Sequence, residues 1–105
     1  MIPFEAIQNV AGQIAKAFNP QKIVLFGSYA YGVPTDNSDV DMLVILPYEG
    51  KGALKTVEII HTVNPAIPVD LLVRSMEQIS ERIRLNDFFL REIMEKGKVL
   101  YEAAH

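Results

Sequence analysis

Apolar residues recur with a helical period over the first eighteen positions. Phe4, Ile7, Val10, Ala11, Ile14 and Phe18 fall on one face, so Pro3 to Phe18 is predicted as an amphipathic helix. Asn19-Pro20 ends it, because the residue before a proline is pushed out of helical backbone geometry. The pattern then changes to short apolar runs bounded by turn residues: Lys22-Ile23-Val24-Leu25-Phe26, then Val40 to Leu46, then Val69 to Val73. Each is rich in β-branched residues and reads as a buried strand. Gly27-Ser28 opens a short helical turn through about Tyr31, and Gly32 to Ser38 is loop by composition. Ala53 to Val63 has helical periodicity, and Ser75 is a suitable N-cap for a helix from Met76 to about Leu85. A last helix from Asp87 to Lys96 stops at Gly97, and Lys98-Val99-Leu100-Tyr101 forms a short closing strand. Strands alternating with helices predict an α/β (α+β) layer fold, a small mixed β-sheet flanked by helices.

Two polar positions break the apolar grammar of the strands. Asp39 and Asp41 bracket Val40 at the start of the second strand, and Asp70 interrupts the third. Side chains alternate along a strand, so Asp39 and Asp41 share a face while Val40 and Met42 take the other. Adjacent carboxylates repel, and the usual compensation is a divalent cation with hard oxygen ligands, such as Mg²⁺. If the third strand lies beside the second, Asp70 joins them at one sheet edge. Otherwise it is an exposed strand end or a partner of Arg74. Gly27 lets the backbone approach a phosphate closely, and the N–H groups of the following turn favour an anion. The same dipeptide also serves as an ordinary strand-to-helix turn with serine as cap. No Gly-Lys-Ser/Thr phosphate loop is present, and Gly27 and Gly32 do not make a dinucleotide fingerprint.

Length and charge narrow the field. A chain of 105 residues reads as one domain, 1–105. With 10 basic and 13 acidic residues the net charge is −3, and the basic residues are scattered, so direct nucleic-acid binding is not expected. There is no cysteine, which excludes disulfides and thiolate chemistry. No signal peptide or membrane span is seen, so a cytoplasmic location is the expectation.

Leu25-Phe26-Gly27-Ser28-Tyr29-Ala30-Tyr31-Gly32, followed by Ser38-Asp39-Val40-Asp41-Met42-Leu43-Val44, resembles the signature of the DNA polymerase β-type nucleotidyltransferase superfamily. The similarity is strongest to its minimal nucleotidyltransferase (MNT) domains and covers nearly the whole chain. It implies the nucleotidyltransferase fold and a Mg²⁺-dependent transfer of a nucleoside monophosphate, AMP from ATP, with two metal ions held by Asp39 and Asp41. It further implies that Asp70 helps hold a metal and takes the proton of the attacking hydroxyl. Gly27 and Ser28 would position the β- and γ-phosphates; Ser38 matches the pattern as well, either fixing its loop or touching phosphate. Many members carry arginine where this chain has Tyr31, which cannot supply a charge. Tyr29 and Tyr31 either stack on a base or cover the core.

Small members of this family pair with a helical HEPN-domain ribonuclease toxin and neutralise it, some by transferring AMP to a tyrosine. The resemblance therefore implies an antitoxin whose acceptor is a hydroxyl of a protein partner. Two rivals stand beside it: a non-catalytic antitoxin or adaptor acting by binding alone, and nucleotidyl transfer to a small molecule such as an aminoglycoside. Phe88, Phe89, Leu90, Ile93 and Met94 form a dense apolar patch. Two adjacent phenylalanines cannot both face inward on one helix, which leaves part of it for a partner.

Overall fold

The computed structural model describes residues 1–104. Nine elements follow in order: α1 (Phe4–Phe18), β1 (Lys22–Phe26), α2 (Ser28–Tyr31), β2 (Val40–Ile45), α3 (Gly52–Val63), β3 (Val69–Arg74), α4 (Met76–Arg84), α5 (Phe88–Lys96) and β4 (Lys98–Glu102). The expected elements are all present, with ends within a residue or so of their sequence signals. Caps explain several of those ends. Asn19 and Asn64 take left-handed backbone at φ 49° and 48° and close α1 and α3, a conformation asparagine tolerates better than most residues. Ser75 and Gln78 form a reciprocal capping box on α4. Asp87 accepts a bond from the Leu90 N–H at 3.0 Å and starts α5.

The four strands form one mixed sheet in the order β3-β2-β1-β4. β1 runs antiparallel to both β2 and β4, with an irregularity in the β4 pairing between Ile23 and Val24. β2 and β3 are parallel, joined through α3, because a parallel pair needs a crossover rather than a hairpin.

Strand alternation sorts the core into two layers. Ile23, Leu25, Val40, Met42, Val44, Leu71 and Val73 face α1 and α3, together with Ile7, Ile14 and Ile59. Val24, Phe26, Leu43 and Ile45 face the other way, against Ile79 of α4 and Leu90 and Ile93 of α5. No polar or charged residue is buried among the described residues. Each fully buried aliphatic side chain contributes about 1.5–3 kcal/mol relative to exposure. The second layer is shorter, and α4 and α5 leave the sheet uncovered near the N-terminal ends of β2 and β3.

Candidate active site

Asp41 has the same strand parity as Leu43 and Ile45, so it projects from the α4–α5 face. It stands in register with Phe26 of β1 on one side and Asp70 of β3 on the other. The condition on which the third acid depended is therefore met: β3 lies beside β2, and Asp41 and Asp70 are cross-strand neighbours about 4.8 Å apart in backbone spacing. Asp39 lies two residues earlier, exposed, just before β2 begins. Burial pushes the Asp41 carboxyl above its ordinary value, and the carboxylates of Asp70 and then Asp39 push it further. None of the ion pairs among the described residues involves Asp39, Asp41 or Asp70. Arg74 does not compensate Asp70; its Nη1 donates to the Val73 carbonyl at 2.7 Å.

Asp41 and Asp70, but not Asp39, line a cleft of about 320 Å³ that is bounded also by Phe26, Leu71, Leu72 and Phe89. Phe89 reaches over from α5 and meets Phe26 edge-on, with ring centroids 5.7 Å apart. Among the described residues no three acidic or histidine side chains draw together into a ready-made metal ligand set. What the sheet provides is an uncompensated pair with a third carboxylate at its rim.

Gly27 leaves β1 beside this pair. Its backbone, at φ 74° and ψ −154°, lies in a region that side-chain-bearing residues rarely adopt. A Cβ here would run into the Asp41 carboxylate. Glycine is thus required twice, by its torsion angles and by its neighbour. α2 then begins at Ser28, and its first N–H groups have no intrahelical partners. Gly27 gives its carbonyl to the turn, accepting from the N–H groups of Ala30 at 3.0 Å and Tyr31 at 3.1 Å.

The remaining candidates separate. Ser38 is spent on its own loop: its Oγ accepts from the Thr35 N–H at 2.9 Å and lies 3.2 Å from the Thr35 hydroxyl. Tyr29 packs against the α1–α3 core, and its hydroxyl accepts from the Ile2 N–H at 3.2 Å. Tyr31 is exposed and stands in the site's field. Burial raises its phenol, the Gly27 N–H lowers it, and the carboxylates of Glu92 and Asp41 raise it again. Phe88 and Phe89 are exposed, whereas Leu90 and Ile93 are buried. The patch therefore divides between its aliphatic members, which join the core, and both phenylalanines, which stay outside, so the expectation that the adjacent pair would split between core and surface is not met. Glu92 and Phe89 approach the site from α5, some fifty residues from Asp41 in the chain, and no local spacing marks them for it.

Residues 7–100 match the family profile of the nucleotidyltransferase domain. The chain is 34% identical over 83 residues to a Methanocaldococcus jannaschii protein named "Putative protein adenylyltransferase", an alignment covering 77% of this chain and 78% of that one. Its fold is similar to that in the crystal structure of a "putative nucleotidyltransferase" from Sulfolobus solfataricus, with TM-score 0.59 and 19% identity over 73% of this chain and 70% of that one. No helix among the described residues is long and apolar enough to cross a membrane. A profile match over most of its length, on a four-stranded mixed sheet with helices on both faces, makes this chain a member of the nucleotidyltransferase domain family.

Proposed function

We propose that this domain transfers AMP from ATP to a hydroxyl of a protein partner, with Asp39, Asp41 and Asp70 as the acids of the site. The observation that carries the reading is the in-register pair Asp41 and Asp70, which no ion pair among the described residues compensates, set beside a glycine whose Cβ would strike Asp41. Hard carboxylate oxygens with no paired cation suit Mg²⁺, which takes one or two protein carboxylates and completes its shell with water and substrate phosphates. Bound there, two Mg²⁺ ions would supply the positive charge that offsets the triphosphate and its leaving pyrophosphate. Gly27 and Ser28 hold the β- and γ-phosphates through first-turn N–H groups and the serine hydroxyl. Ser38 holds the loop that delivers Asp39. Asp70 accepts the proton of the acceptor hydroxyl as its oxygen bonds the α-phosphorus and the bond to the β-phosphate breaks.

A protein acceptor is supported by the name of the Methanocaldococcus jannaschii relative. The partner in this reading is a helical HEPN-type ribonuclease toxin in the same cytoplasm, silenced by transfer of AMP to a tyrosine. The test is incubation with α-labelled ATP and that partner, comparing the native chain with a variant carrying both Asp39→Asn and Asp41→Asn. The expected result is a labelled, inactive partner with the native chain. The double variant is expected to bind the partner but neither label nor silence it. Full silencing by the double variant would establish action by binding alone.

A further inference from the structure

The cleft lined by Asp41 and Asp70 has a neighbour along β3. A second hollow of about 310 Å³ adjoins it, sharing Leu72 and Phe89 as lining, and is bounded by Arg74, Arg82, Asp87 and Leu90. Asp70, Leu72 and Arg74 occupy alternate positions of β3 and therefore share one face. The trough thus runs along the edge strand from a carboxylate end, over an apolar middle, to a guanidinium end. Arg82 is paired with Asp87 through Nε at 3.2 Å, whereas half-buried Arg74 spends one N–H on the Val73 carbonyl and makes no ion pair among the described residues. A guanidinium carries five donors, so both arginines keep donors for an incoming anion, and the hollow holds two positive charges against one negative.

The geometry also says which substrate meets this hollow. Gly27 and Ser28 adjoin Asp41 from the β1 side, and Asp70 adjoins it from the β3 side. In an in-line displacement the acceptor enters opposite the leaving group. If pyrophosphate departs toward Gly27 and Ser28, the acceptor hydroxyl arrives over Asp70, from the β3 edge.

We infer that the trough along β3 binds an acidic acceptor segment, whose hydroxyl sits at Asp70 and whose carboxylate sits between Arg74 and Arg82. This rests on the nucleotidyl-transfer reading given above. Arg74 lies four strand positions beyond Asp70, about 13 Å away. An extended acceptor chain laid alongside would place its carboxylate about four residues from its hydroxyl, with an apolar side chain between them against Leu72 and Phe89. Arg74 and Arg82 are then specificity-determining residues that act on acceptor binding and not on the reacting atoms.

The test uses two synthetic peptides, each with one tyrosine and identical except for glutamate or lysine about four residues to either side of it. Transfer of label from α-labelled ATP is measured, and ATP–Mg²⁺ binding is followed separately by thermal shift. The native chain is expected to favour the glutamate peptide. Arg74→Gln is expected to raise its KM about tenfold with kcat and ATP–Mg²⁺ binding unchanged. Arg74→Glu is expected to reverse the preference toward the lysine peptide, a gain that a misfolded variant could not give. Equal use of both peptides, an unchanged KM in Arg74→Gln, or no transfer to either peptide by a chain that binds ATP–Mg²⁺ would overturn the inference. A chain that binds no ATP–Mg²⁺ would instead overturn the reading beneath it.

Discussion

The two faces of the sheet use one strand for opposite purposes. On the α1–α3 face, Val40, Met42 and Val44 of β2 are fully buried among aliphatic neighbours. On the α4–α5 face, Leu43 and Ile45 are equally buried, but Asp41, next in the same row, is only half covered and lies in the field of two other carboxylates. The difference lies in how far the covering helices reach. α1 and α3 together blanket their side, while α4 and α5 stop short of the N-terminal ends of β2 and β3. A charge can sit on a strand otherwise made for a core only where the cover ends, since burying it unpaired costs several kcal/mol. The lesson is that Asp41 stands where one layer of cover ends, while the rest of its strand stays packed.

The largest expected break in that comparison is chemical. Asp41→Asn keeps size and hydrogen bonding while removing charge, and nucleotide transfer is expected to fall about a thousandfold or more. A radiolabel transfer assay at saturating ATP and Mg²⁺ checks it. One position further along, Met42→Ala leaves the site side untouched but opens a void on the other face, at an expected cost of about 2–5 kcal/mol in stability. Denaturant unfolding of the two variants should therefore show damage in one and none in the other. Gly27→Ala joins the faces, since it forces both the torsion angles and the Asp41 carboxylate to move; strain of about 1–3 kcal/mol is expected together with loss of transfer. Melting curves and the same assay test it.

The smallest effect is the most diagnostic. The Asp41 carboxyl binds its proton more tightly in the folded than in the unfolded chain. Its favourable contribution to folding is present below the ordinary aspartate value of 3.8 and is lost as pH rises through the higher folded-state value. Metal-free Asp41→Asn should therefore be more stable than the native chain at neutral pH by roughly a few tenths of a kcal/mol, because water screens a half-exposed group. The gain should vanish in acid. Asp87 titrates in the opposite sense: its cap bond to Leu90 and its pairing with Arg82 hold it below its usual value, so its contribution is present above 3.8 and fades as pH falls. Thermal melts across pH, in EDTA, separate the two.

Much of this was legible in the sequence, and for local reasons. Periodicity, the Asn19-Pro20 break and the Ser75 cap act within a few residues, so element boundaries followed from them. The shared face of Asp39 and Asp41 needs only strand alternation. Asp70 depended on one non-local fact, that β3 neighbours β2, and once the sheet order is known its role as neighbour is forced. What sequence could not mark was contributed from a distance. Phe89 and Glu92 reach the site because α5 packs on β1, and Arg74 lies in a hollow completed by α4 and α5. Ser38 belonged to the resembled pattern, and its hydroxyl closes on Thr35 three residues back, a choice between accepting within its loop and donating to a phosphate that composition leaves open.

The position of β4 has a consequence for how the chain acquires this arrangement. Lys22 pairs with Glu102 and Leu25 with Lys98, and Gln8 donates to the Leu100 carbonyl at 2.8 Å across 92 residues. The block from β1 to β3, which assembles every acid of the site, is by contrast contiguous in the chain. Nascent chain would hold all of it before β4 has been synthesised, and loops of that length close slowly because long-range pairing must wait on chain entropy. During that interval the outer edge of β1, with its buried-strand sequence, presents unpaired N–H and C=O groups to any neighbouring strand. The five-residue β4 thus closes an edge that stays open until it has been made, so protection against aggregation is complete only once it pairs with β1, a duty separate from anything the acids do.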